Sequence, residues 1–392
     1  MTIRVLIWAT TFGADLWSFT RYLDARDDVE VKIVLDEPMR FRNEGVSQLF
    51  PLRSELVARK LFHQIAGIPN WQADVMVFDN RLPLRPTTPA GMALWHGLGW
   101  KGPNDEAELA WLHGTIGRAW GGAKAPNPRF RWQCFGPQDF EHRSKVSGFH
   151  PDNCRLIGAA IHDVLRVPLD RALARPYYPF DVARRKTVLF APTWHYGEVF
   201  AHWGNDADLF ERLLQYCRRR DVDVILRLHD SYRFDRSYVR FLRDLERRHK
   251  HVLVKFKDKA PDSFLDLQVA DVLITNYSSI ANLFYATRRP TIHVYPVRSA
   301  DEAFMWRSYS ATRGVRKREV ESARYIWKLP PETHGGLLAR SFDQLIAQLD
   351  QSLDEPGCCE EPAGRFLDEH MLGADGLACE RALVALREIA KF

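Results

Sequence analysis

Two histidines sit where apolar runs give way to turn residues: Trp95-His96-Gly97-Leu98-Gly99-Trp100-Lys101-Gly102 and Ile225-Leu226-Arg227-Leu228-His229-Asp230. An imidazole titrates near neutrality and can accept a proton as a reaction proceeds. At the end of a strand, His96 suits a general base, or equally a structural histidine in a tight turn. His229 suits a contact that stabilises developing phosphate charge, or a hydrogen bond within a loop. Glycine admits positive φ and close approach of backbone to ligand, so Gly97 fits a ligand turn, with Lys101 as a cation beside it.

Two further segments could hold the other partner of a reaction. Phe190-Ala191-Pro192-Thr193-Trp194-His195-Tyr196-Gly197 runs from a strand into a loop with a hydroxyl and aromatic rings. Ala270-Asp271-Val272-Leu273-Ile274-Thr275-Asn276-Tyr277-Ser278-Ser279 leads from a buried strand into a polar turn, then an apolar helix. Ser278 or Ser279 would cap that helix, and unpaired amides at a helix start attract anions. A plain cap is the other reading. If the turn binds phosphates, Thr193, Trp194, Arg227, Thr275, Asn276, Ser278 and Ser279 line the donor side, and Gly97 and Lys101 the acceptor side.

The elements that would position these residues follow a βαβ rhythm. Strand-like runs at Ile3–Trp8, Val29–Leu35 and Ala73–Phe78 alternate with helical periodicity, and Ala93–His96 follows a proline-rich loop. The rhythm restarts at Thr187–Ala191 and continues through Val222–Leu228, Val252–Phe256, Val272–Thr275 and Thr291–Tyr295. Two such arrays in 392 residues imply two doubly wound domains with a ligand crevice at the strand ends. The expected division is 1–168, 180–370 and a C-terminal helix over 371–392, with the proline-containing stretch Arg166–Arg185 as linker and Glu355–Pro362 as a loop. Glycine turns at Gly136-Pro137-Gln138-Asp139 and Gly158-Ala159-Ala160-Ile161-His162-Asp163 close the first domain.

Composition excludes several classes. There is no G-x-x-x-x-G-K-[ST], and the G-x-G-x-x-G spacing at Gly97, Gly99 and Gly102 runs into Pro103-Asn104 rather than opening a helix, which argues against a P-loop NTPase or a dinucleotide dehydrogenase. No G-x-S-x-G elbow points to a hydrolase. Histidines and cysteines do not cluster at zinc spacing, so no metal and no separate cofactor are expected. The six cysteines fit no disulfide framework, as for reduced thiols. The start of the chain reads as a strand rather than a signal peptide, and no stretch of about 18 apolar residues occurs. A cytoplasmic location is expected, with peripheral contact to the inner face of the plasma membrane. The net charge of +5 gives no case for a nucleic-acid partner. The basic stretch Arg218–Lys259 reads as a solvated helix face, or as a surface toward polyanions or lipid headgroups.

The order of these segments resembles the CDP-glycerol glycerophosphotransferase family, the teichoic-acid primases and polymerases with the GT-B fold. The resemblance rests on Trp95-His96-Gly97 with Lys101, Ala191-Pro192-Thr193-Trp194, Leu226-Arg227-Leu228-His229, and Ala270 through Ser279 with Pro290 after the next helix. It implies transfer of a polyol phosphate from a CDP-linked donor to the hydroxyl of a lipid- or glycan-linked acceptor, with release of CMP. It further implies that His96 is the base, that His229 contacts the donor phosphates, and that Ser278 and Ser279 hold the pyrophosphate. Where the family carries Asp-Tyr-Ser-Ser this chain has Asn276-Tyr277-Ser278-Ser279, and His195 and Asp230 replace its Arg and Pro. The same fold also serves glycosyltransferases that use nucleotide sugars. A third reading is a non-catalytic membrane- or polyanion-binding module built on the basic helix.

Overall fold

A computed structural model describes residues 2–43, 45–59, 72–83, 88–95, 97–100, 104–193, 199–200, 203–229, 235–256, 263–295, 303–310, 314–321 and 328–391, with backbone alone over 303–321. Seven strands form the first sheet: β1 (Ile3–Trp8), β2 (Val29–Leu35), β3 (Glu55–Ala58), β4 (Val75–Phe78), β5 (Ala90–Ala93), β6 (Phe130–Cys134) and β7 (Cys154–Leu156), in the order β3-β2-β1-β4-β5-β6-β7. The second sheet holds β8 (Thr187–Phe190), β9 (Asp223–Arg227), β10 (Val252–Lys255), β11 (Val272–Thr275), β12 (Thr291–Val294) and β15 (Leu337–Ala339). Its order is β10-β9-β8-β11-β12-β15. Every pairing in both sheets is parallel. An antiparallel hairpin, β13 (Ala303–Ser310) and β14 (Gly314–Glu321), stands apart from them.

In each sheet the strand order reverses beside the first strand, between β1 and β4 and between β8 and β11. Open α/β sheets bind ligands outside the carboxyl ends of strands at that reversal. The expected two doubly wound domains are therefore present. The second sheet alternates strictly between its two faces, as the two-residue period of a strand requires. Leu189, Ile225 and Leu273 pack into a core continuous with the first domain. Val188, Phe190, Val224, Leu226, Val272 and Ile274 pack against the helices Asp206–Arg219 and Phe342–Asp354 on the other side.

The C-terminal elements differ from expectation. The stretch read as a loop over Glu355–Pro362 is non-helical only to Cys359, and its last three residues begin the helix Glu360–His370. Pro362 lies in its first turn, where the missing amide hydrogen costs little. The last helix, Ala378–Ile389, returns to the first domain: Cys379, Ala382, Leu383 and Leu386 join the core that holds Trp17, Phe19 and Trp132. The stretch over 166–185 is anchored rather than loose, since Arg171 pairs with Asp271 at 3.0 Å across to the second sheet. Among the described residues, no helix is long and apolar enough to cross a membrane.

Candidate active site

The reversal point of the second sheet is bridged by a single side chain. Asn276 follows β11, is 1% exposed, and accepts the backbone N–H of Thr193, which follows β8, through Oδ1 at 2.5 Å. One residue earlier, Thr275 is fully buried and donates its hydroxyl to Ala191 O at 2.7 Å. These two bonds fix the exits of β8 and β11 against each other. Thr275 was expected at the phosphates; its hydroxyl hydrogen is instead committed to Ala191. Asn276 Nδ2 is buried without a hydrogen-bond partner among the described residues.

Tyr277 carries the chain round the turn with φ +61°. A non-glycine residue in that region costs about 1–3 kcal/mol and persists where its surroundings over-determine it. Here the phenol hydroxyl donates to Pro331 O at 2.7 Å. The ring packs on Trp100, His293 and Tyr295 with centroids 5.8, 5.1 and 6.3 Å away. Held in this way, Tyr277 presents Ser278 and Ser279, both half-buried.

Ser279 stands at the helix start, but its side chain makes no capping bond. The helix is also shorter than the sequence suggests, α-helical over Ile280–Phe284 and 3-10 over Tyr285–Thr287. A helix this short contributes little dipole. The anion-binding capacity of the turn resides in its serine hydroxyls and backbone groups rather than in a macrodipole.

The first domain meets this turn directly. β5 ends at Ala93, so the strand is shorter than expected and the glycine turn lies beyond it. Gly97 has φ +134°, and a Cβ built on it would lie 2.9 Å from Ser279 Cβ and 3.1 Å from Ser279 Oγ. Three contacts lock the approach. Asn282 Nδ2 donates to Leu98 O at 2.6 Å, Trp100 Nε1 donates to Thr333 O at 2.7 Å, and Lys328 N donates to Trp100 O at 2.6 Å. His162, from the glycine turn after β7, shares a 2.9 Å hydrogen bond with Asn282 O. The carbonyl can only accept, so His162 Nε2 carries the hydrogen. Burial, reinforced by the charge of Arg288 and opposed by the Asn282 bond, brings the His162 pKa down to about 4.

His96, Lys101 and Trp194 lie outside the described residues. His229 is exposed at the end of the β9 segment. Arg227, expected on the donor phosphates, gives Nη1 to Asp266 Oδ2 at 2.8 Å. Asp266 also accepts from Lys255 Nζ at 2.7 Å and the Tyr178 hydroxyl at 2.6 Å. Burial alone would raise the pKa of Asp266, but the charges of Lys255 and Arg227 outweigh it and hold the carboxyl below its ordinary value. Arg227 is thereby part of a buried ion network under β9.

Two Asp-x-Asp pairs, Asp206-Ala207-Asp208 and Asp221-Val222-Asp223, have the spacing of a metal-binding motif. Asp206 accepts the amides of Val199 and Phe200 and the Tyr238 hydroxyl, and Asp223 pairs with Arg185 at 3.0 Å. Among the described residues no group of three metal-ligating side chains assembles. Three of the five arginines of the basic helix Arg236–Arg248 are in ion pairs: Arg243 with Glu246, Arg247 with Asp244, and Arg248 with Asp244 and with Glu211 of the helix Asp206–Arg219.

Sequence reading missed the seam made by Asn282, His162, Trp100, Thr333 and Lys328. Its one visible signal was Asn282, a polar residue inside the otherwise apolar Ile280–Phe284.

Residues 177–384, which carry all of the second sheet, the helix Glu360–His370 and the first part of Ala378–Ile389, match the family described as CDP-Glycerol:Poly(glycerophosphate) glycerophosphotransferase. The chain belongs to this family. Two Staphylococcus aureus (strain NCTC 8325 / PS 47) relatives, the teichoic acid ribitol-phosphate polymerases TarK and TarL, are 28% identical over 199 and 198 residues. The matched stretch covers 50% of this chain but only 33% of TarK and 30% of TarL, so it spans about a third of those relatives. Among solved structures, the wall teichoic acid polymerase TagF in a variant soaked with CDPG superposes with a TM-score of 0.67 at 15% identity, covering 100% of this chain and 90% of that one. A putative UDP-N-acetylglucosamine 2-epimerase from Listeria monocytogenes gives 0.56 at 13% identity, covering 99% and 96%. At these identities the likenesses show the fold, two Rossmann-like domains of the GT-B type, and the glycerophosphotransferase family supplies the chemical context.

Proposed function

We propose that this chain transfers a polyol phosphate from a CDP-linked donor to an acceptor hydroxyl in cell-surface glycopolymer synthesis, releasing CMP. The observation that carries the reading is the contact of Gly97 with Ser279. It sets the turn after His96 against the polar turn of the family-matched domain. The donor pyrophosphate would lie on Ser278, Ser279 and the amides around Thr193, with His229 at its edge and Trp194 lining the cleft. The acceptor hydroxyl would enter on the side of His96, Gly97 and Lys101.

In the proposed reaction the acceptor oxygen attacks the phosphorus that carries the polyol, in line with the bond to the CMP phosphate. His96 takes the hydroxyl proton as the new P–O bond forms. The old P–O bond breaks, and its electron pair leaves with CMP. Hydroxyl and amide donors already aimed at the phosphates stabilise the transferring charge without rearranging. The step as proposed is written with the chain's own groups. The acceptor is read as lipid- or glycan-linked, met at the cytosolic face of the membrane.

His96→Ala should lower CMP release by about 10²–10⁴-fold while CDP affinity, measured by calorimetry, holds. Turnover near that of the unaltered chain would overturn the assignment. Screening CDP-glycerol, CDP-ribitol and UDP- or CMP-sugars for nucleotide release separates polyol-phosphate transfer from glycosyl transfer. Absence of any CDP affinity would favour the binding-module reading.

A further inference from the structure

A cavity of about 350 Å3 lies between the helix Pro137–Lys145 and the segment around Lys328, lined by Leu98, Asp139, His142, Lys145, Lys328 and His370 among others. It is joined to the proposed reaction centre through the backbone. Leu98, one residue past Gly97, lines it, and the Leu98 carbonyl is held by Asn282. Trp100 O anchors the backbone of Lys328. The far wall is equally fixed: a Cβ on Gly136 would lie 2.1 Å from His370 O, so the helix Glu360–His370 seats directly on the turn after β6.

Two side chains facing this space, Lys328 and His370, make no hydrogen bond to a carboxylate among the described residues. Lys328 Nζ donates to a neutral acceptor, Asn104 Oδ1, at 2.6 Å. Behind it Arg143 is fully buried, its guanidinium 5.6 and 5.3 Å from the rings of Trp95 and Trp132. The two carboxylates of the wall are engaged: Asp139 lies 3.2 Å from Arg143, and Glu141 pairs with Lys145 at 2.5 Å. Burial, with the charge of Arg143 adding to it and those of Asp139 and Glu108 opposing it, pushes the Lys328 pKa down to about 7. His370 is 5% exposed, and neither ring nitrogen has a hydrogen-bond partner among the described residues. Its nearest carboxylate, on Glu369, is 3.6 Å from Nε2, too long for a hydrogen bond. A buried imidazole left unpaired at a cavity wall is costly unless a ligand completes it.

We infer that this cavity is an oxoanion site, distinct from the donor turn, in which Lys328 and His370 bind a phosphate group of the acceptor chain. A volume of this size admits a phosphate with an attached polyol. An acceptor gripped there would direct its free end past Leu98 toward Gly97. The acceptor assignment rests on the transfer reading above; binding of phosphate in the cavity does not.

The test uses the full chain with the donor site saturated by CDP. Calorimetry with inorganic phosphate and with a short polyol-phosphate oligomer should show both binding, the oligomer more tightly. Lys328→Gln and His370→Leu should each weaken binding about tenfold or more, the worth of a hydrogen bond to a charged group. CDP affinity should stay unchanged in both, which reports an intact fold. In turnover assays the acceptor KM should rise by a similar factor with kcat held. Phosphate binding that is absent from the unaltered chain, or unmoved by both substitutions, overturns the site. Binding of inorganic phosphate without the oligomer, or an unmoved acceptor KM, overturns its assignment to the acceptor. Absence of CMP release from CDP-glycerol while the oligomer still binds would instead sink the transfer reading and leave the oxoanion site standing.

Discussion

Gly97 and Ser279, 182 positions apart in the chain, meet so closely that a methyl group does not fit between them: a Cβ on Gly97 would stand 2.9 Å from Ser279 Cβ. Gly97 also has φ +134°, which L-residues rarely adopt. Gly97→Ala therefore combines backbone strain with a clash across the cleft. It should cost about 1–3 kcal/mol of stability from the backbone alone. It should also lower turnover by up to about 10²-fold, because small displacements of reacting groups are that damaging. Urea unfolding and CMP release measured on the same preparation check both. Turnover unchanged by the substitution would show that the two turns do not share a reaction.

Asn276 holds the exits of β8 and β11 together through Oδ1, and its Nδ2 adds no bond among the described residues. Asn276→Ala leaves the buried Thr193 amide without this acceptor and should destabilise by about 1–3 kcal/mol. Asn276→Asp keeps an oxygen acceptor in place and should recover most of that loss. Equal stability of the two variants, by chemical denaturation, would rule out the bridging role.

Asp266 is the common acceptor for Arg227, Lys255 and Tyr178. Asp266→Asn leaves two basic side chains sharing no carboxylate beneath β9. Breaking a buried ion network from one side costs about 3–5 kcal/mol. The expected result is a marked fall in the urea midpoint at pH 7. A shift worth less than about 1 kcal/mol, the scale of a surface ion pair, would show that the network is solvated.

His162 gives the domain seam a pH dependence. Its folded pKa of about 4 lies below the ordinary 6.5, so the unfolded chain takes up the proton first. Its contribution is complete above pH 6.5 and is lost as pH falls toward 4, by about 3 kcal/mol at most. Asp15, lifted by burial from 3.8 to about 6, has the opposite sign: the folded state binds its proton more tightly, so that contribution fades as pH rises through 6. The difference in unfolding free energy between the unaltered chain and His162→Gln isolates the histidine. That difference should shrink between pH 6.5 and 4; a constant difference would count against a neutral buried imidazole.

The sequence by itself determined the two parallel arrays, because strands covered on both faces must be short continuous apolar runs, as in Val272–Thr275. It also determined the polar turn over 276–279 and the order of motifs that the family match bears out over 177–384. The strand exits were legible because hydroxyls, histidines and glycines interrupt apolar runs there. Tertiary structure alone decided which polar groups remain available. Thr275 and Arg227 resemble ligand contacts in one dimension, yet the first donates to Ala191 and the second to Asp266. It alone decided that Ala378–Ile389 returns to the first domain, since an amphipathic helix carries a buried face without stating against what. It alone brought Lys328 and His370 to one cavity. Such pairings depend on loop closure over tens to hundreds of residues, and local periodicity holds no record of them.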